Sequence, residues 1–162
     1  MKIEHLEERV NDYKNSIKTV VEKKIRWQTQ TKNLLITTLK TIAKKYTIGW
    51  RVQELNWINT NEAINITLES FPDDLIESTN KIPSYQFIKG GSLVFSQSHN
   101  GDVNVFILFP LIENVIDNAN ETEIETYAPE TINEKLIIEK VDEFLKEMIN
   151  WEVPSLKNKV GF

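Results

Sequence analysis

The first 48 residues contain no Gly and no Pro, and the first such punctuation is Gly49 in Tyr46-Thr47-Ile48-Gly49. A stretch free of both breakers is permissive for helix. At ~100° per residue, Ile3, Leu6, Val10, Tyr13, Ile17, Val20, Val21, Leu35, Leu39, Ile42 and Tyr46 fall on one stripe, the pattern of an amphipathic helix. Between residues 22 and 33 the stripe lapses. Lys24, Gln28 and Thr31 take its centre, and Trp27 and Leu34 move to a flank. The pattern predicts a helical arm over residues 1–46, either a single helix that changes partner midway or two helices broken near residues 28–31. At 1.5 Å per residue one rod reaches about 65–70 Å, roughly twice the ~30 Å diameter of a small domain. Its apolar side is then longer than its own body can cover.

Charge divides the chain at the same place. Residues 13–46 carry nine Lys or Arg and one acid, Glu22, whereas residues 47–162 carry eight bases and nineteen acids. Lys14, Lys18, Arg26, Lys32, Lys40 and Lys44 fall within about 120° of arc beside the apolar stripe. Such a ridge suits an acidic protein partner, the acidic body of a second copy, or the phosphates of a nucleic acid. Arg is scarce, so bidentate base reading is not expected, and any nucleic-acid binding would be independent of sequence.

The remainder reads as an α+β domain continuous with the arm: a body over residues 47–153 and a short basic tail, 154–162, expected to be mobile. Ile48, Trp50 and Val52 alternate, as do Ile64, Ile66 and Leu68 against Asn65, Thr67 and Glu69, which predicts a hairpin with one wet face. Trp50 and Trp57 are expected in or at the rim of the sheet. Pro72 and the acids after it open a short helix through Leu75–Ser78, and residues 79–91 read as loop with a short strand at Tyr85–Ile88.

Ser92–Ser98, His99-Asn100-Gly101-Asp102 and Val103–Phe109 predict a second hairpin. Asn100-Gly101 as a two-residue type I′ loop pairs Ser98 with Val103, Val94 with Ile107, and Phe95 with Phe106. Glu123–Tyr127 is a candidate edge strand. Thr131-Ile132-Asn133-Glu134 matches a capping box opening a helix to about Trp151, whose stripe is Ile137, Val141, Phe144, Leu145 and Met148. The expected fold is therefore a long N-terminal helix, an antiparallel sheet of four to five strands, and a C-terminal helix. The C-terminal helix is placed on one face of the sheet and part of the arm on the other.

Little in the chain points to a reaction. There is no Cys, and His5 and His99 are the only histidines, which excludes thiolate and His-rich metal sites. The acidic segment Glu113–Glu134 has no Gly and no calcium-loop spacing, so it reads as a solubilising or partner-facing loop. His99 and Asp102 beside Ser96 and Ser98 superficially suggest a hydrolase, but Ser98 and His99 are strand neighbours whose side chains point to opposite faces. Gly90-Gly91 lacks the Lys and the helix of a phosphate loop and reads as a turn. No cofactor or metal is expected. The first nine residues are too charged for a secretory leader, and no run reaches the ~18 apolar residues of a membrane span. The expected location is the cytoplasm.

The leading expectation is a non-enzymatic interaction or assembly protein, a homo-oligomer or complex subunit. It would be joined through the arm by Trp27, Leu34, Leu35, Lys14, Lys18, Arg26, Lys32, Lys40 and Lys44. Trp27 has two readings, an interface anchor or a cover for the junction with the body. The alternatives are a sequence-independent nucleic-acid-binding accessory protein, and a small enzyme using carboxylates such as Glu69, Asp73 or Asp74.

Overall fold

The computed structural model describes residues 3–56, 61–112 and 121–156. Trp57, the Asn59–Thr60 turn, residues 113–120 of the acidic segment and residues 157–162 of the tail lie outside that set. The arm runs as α1 (Ile3–Arg26), a π-helical turn (Trp27–Thr31) and α2 (Lys32–Lys45). It is one continuous helical path with a change of pitch, not two helices with a loop between them. In the π turn the Lys32 N–H donates to the Trp27 carbonyl, five residues back.

The extra residue in that turn explains the lapse in the stripe. It rotates everything after it relative to α1, so that Trp27, Thr31, Leu35 and Leu39 follow one another on the face turned to the body.

The body is a meander of five antiparallel strands in sequence order: β1 (Trp50–Asn56), β2 (Glu62–Leu68), β3 (Ser92–Gln97), β4 (Val103–Leu108) and β5 (Glu125–Tyr127). Between β2 and β3 lie a 3₁₀ turn (Asp73–Leu75) and the single-turn α3 (Ile76–Thr79). Residues 85–88 are not a strand. Phe71 packs against the rings of Tyr85 and Phe87 at 4.8 and 5.2 Å, which ties this segment to the loop.

The β3–β4 register differs by one residue from the expected one. Gln97 pairs with Val103, Phe95 with Val105 and Val94 with Phe106. The loop has three residues, His99-Asn100-Gly101. The Ser98 N–H donates to the Asp102 carbonyl at 2.8 Å, and the Gly101 N–H to the Ser98 carbonyl at 3.0 Å. Gly101 has φ +88°, as suits a three-residue hairpin loop ending in a left-handed residue. The Asn100 side chain closes the loop by accepting from the Asp102 N–H at 3.0 Å.

Helix α4 (Glu134–Glu152) is capped by Asn133, whose Oδ1 accepts from the Leu136 N–H at 2.8 Å. Thr131 instead closes a 3₁₀ turn, Pro129–Thr131, donating to the Ala128 carbonyl at 2.7 Å. The cap is thus one Asn, and the Thr131/Glu134 box does not form. Helices α2 and α4 lie on the same face of the sheet and touch each other, which corrects the two-sided arrangement. Their Leu35, Leu39, Ile137, Val141, Phe144 and Met148 meet Ile64, Ile66, Leu93, Phe95, Val105 and Ile107 in one core. Ala63, Asn65, Ser92 and Val94 on the other face are buried as well.

Candidate functional site

The arm enters the body at the π turn, and four sets of contacts hold it there. Trp27 is fully buried in the core. The Lys23 ammonium sits 2.7 Å from Asp102 at the β3–β4 tip, and the buried Thr31 hydroxyl donates to the Pro129 carbonyl at 3.2 Å. Gln28 donates to Glu62, and the Lys32 ammonium lies 2.5 Å from the same carboxylate and 3.9 Å from Glu54. Burial alone would raise the Glu62 pKa, but Lys32, together with Gln28 and Trp27, outweighs it and holds the carboxyl below its ordinary range. The hydrogen bond to Glu62 holds Lys32 above its own. The buried Trp27 indole N–H makes no hydrogen bond of normal geometry, although it lies near enough to Glu62 to favour the carboxylate.

Upstream of this junction the arm is bare. No side chain of α1 is buried. Ile3, Leu6, Val10, Tyr13, Ile17, Val21 and Ile25 are each between 44% and 67% exposed, over a helix about 36 Å long. Isolated exposed apolar residues are ordinary, but an aligned series on one helix face is what a partner surface looks like.

The expected site residues divide between the two regions. Trp27 and Leu35 are fully buried, and Leu34 packs against the same core. In this fold Trp27 and Leu35 serve the junction, and Leu34 stays half-buried at the edge of the core. Lys32 is bound to Glu62 and Glu54. Lys14, Lys18, Arg26, Lys40 and Lys44 stay exposed, and among the described residues none of them forms an ion pair. The junction partners Lys23, Glu62, Asp102 and Thr31 were not foreseen. Trp27, Thr31 and Leu35 at a spacing of four were the available signal.

The other groups that could do chemistry divide between structural contacts and bare surface. Asp102 pairs with Lys23 and not with His99, and Ser98 Oγ donates to Asn100 Oδ1 at 2.5 Å. Glu69 pairs with Arg51 at 2.8 Å, and Asp73 and Asp74 are exposed on their 3₁₀ turn. A cavity of about 400 Å³ opens between the C-terminal end of α4 and the 87–91 segment, lined by Leu68, Phe87, Leu145, Met148 and Val153. Its one ionisable lining group is Glu152, an exposed residue whose carboxyl is pushed up by the apolar surroundings. That lining holds no nucleophile and no acid–base pair. No metal-competent cluster of three or more His, Asp or Glu exists among the described residues, and no helix described is long and apolar enough to cross a membrane. Comparison with protein-family models, curated proteins and solved structures gives no match.

Proposed function

We propose that this chain is a non-enzymatic interaction or assembly protein, working in the cytoplasm, that joins copies of itself or a larger complex through its long N-terminal helix. The observation that carries this reading is the exposed apolar stripe of α1 on a helix whose root is locked into the core. An amphipathic helix gains its stability in water by burying that stripe. On this reading the contact surface runs from Ile3 to Ile25 with Lys14, Lys18 and Arg26 beside it, and the buried Trp27 and Leu35 support the arm at its root.

Sedimentation of the full chain tests this. Mass above that of a monomer, or stable co-sedimentation with a purified partner, is expected, and Leu6, Val10 and Ile17 all changed to Glu should abolish it. A full chain that stays monomeric and engages nothing overturns the reading. Lys14, Lys18, Arg26, Lys40 and Lys44, exposed and without an ion pair among the described residues, favour a second reading, sequence-independent binding to nucleic acid. Binding would then weaken steeply with salt, and the absence of binding at low salt would remove it.

A further inference from the structure

The free part of α1 has a periodicity that the body does not use. Ile3, Leu6, Val10, Tyr13, Ile17 and Val20 recur at alternating spacings of three and four residues, the repeat of a coiled-coil seam. Five of the six are exposed. The sixth, Val20, is half-buried where the β3–β4 tip reaches the helix.

Charge along this segment is lopsided. Residues 3–12 hold four acids (Glu4, Glu7, Glu8, Asp12) and one base, Arg9, which pairs with Asp12 at 3.0 Å. Residues 13–26 hold five bases and one acid. Glu7 and Lys14 take the same flanking position in successive heptads, and Arg9 takes the other flank. Two copies lying parallel would set acid end on acid end and place Arg9 beside the second copy's Lys14. Two copies lying antiparallel, with Val10 against Tyr13 at the centre, bring Ile3 to Val20, Leu6 to Ile17, and Glu7 to Lys14 twice along one flank. Packed helices lie about 8–10 Å apart, within the screening length of about 8–10 Å at ordinary salt, so the difference is felt.

We propose that α1 pairs with α1 of a second copy in antiparallel orientation over Ile3–Val20. The proposal rests on the reading of the arm as an assembly surface and adds the occupant and its direction. The chain has no Cys, so Leu6→Cys and Ile17→Cys single variants can be mixed and oxidised. A dominant mixed disulfide between the two variants is expected. Dominant disulfides of each variant with itself would overturn the orientation while leaving the assembly reading intact. Lys14→Glu should weaken association about tenfold at low salt, and adding Glu7→Lys in the same chain should restore it. A Lys14→Glu variant that associates more tightly overturns the orientation, because Arg9 then gains a partner in the parallel pair. A chain monomeric at every concentration overturns self-pairing, and if it engages no partner either, the assembly reading falls with it.

Discussion

Gly101 packs so closely on Lys23 that a Cβ at position 101 would lie 2.6 Å from the Cβ of Lys23, and 3.2 Å from the Val20 carbonyl oxygen. The β3–β4 tip is therefore fitted against the root of the arm, and the Lys23–Asp102 pair closes the same contact. Gly101→Ala meets both this crowding and a φ of +88°. It should cost about 1–3 kcal/mol of stability, read by urea unfolding. A loss below about 0.5 kcal/mol would show that the helix shifts freely at this point.

Trp27 and Tyr13 should separate stability from association. Trp27→Ala empties a fully buried site and should cost about 3–5 kcal/mol. Tyr13→Ala removes an exposed ring and should change the unfolding free energy of the monomer by less than about 0.5 kcal/mol, while weakening association. Urea unfolding at dilute protein, beside sedimentation at high protein, reads both effects.

The Glu62–Lys32 pair sets a pH dependence. The folded pKa of Glu62 is lowered, so its contribution is present above the unfolded value, about 4.3. It is lost as pH falls through the lower folded value. Stability measured from pH 6 downward should decline below that range. Glu62→Gln should lose about 1–2 kcal/mol at pH 6 and show a flatter decline.

Lys140 is buried on α4, with Glu125 at 2.6 Å, Glu143 at 3.1 Å and the Tyr127 ring 5.6 Å away. Burial opposes its charge, but the bonds to Glu125, Tyr127 and Glu143 prevail and raise its pKa. Its contribution is thus complete below the ordinary lysine range and is lost only as pH rises above it. Lys140→Ala should cost about 1–3 kcal/mol and speed amide exchange in β5, which this ammonium pins to the helix. Unchanged exchange at Glu125–Tyr127 would refute the pinning.

The elements themselves were legible from periodicity: the long arm, the two hairpins, the edge strand and the final helix. What escaped was geometry that single residues decide. Asn100-Gly101 is a strong two-residue turn signal, yet Ser98, Asn100 and Asp102 close a three-residue loop through side-chain bonds, and every pair in β3–β4 slips by one. The stripes of α2 and α4 show that each buries a face, but an amphipathic pattern does not say which side of a sheet it meets. The π turn is invisible to a fixed-period reading, which leaves Trp27 both as an interface anchor and as a cover for the junction, and the structure buries it at the junction. The exposed seam of α1 was visible as a stripe, and the structure separates its bare portion from the portion that the core absorbs.

The clamped π turn fixes the direction in which α1 leaves the body. The arm is then a strut and not a tether, and whatever docks on it is held at a set distance and angle. Deleting one seven-residue repeat from its middle would keep the seam intact. It would bring the attached bodies about 10 Å nearer along the axis and turn them by about 20°, so arm length acts as a ruler for any assembly built on it.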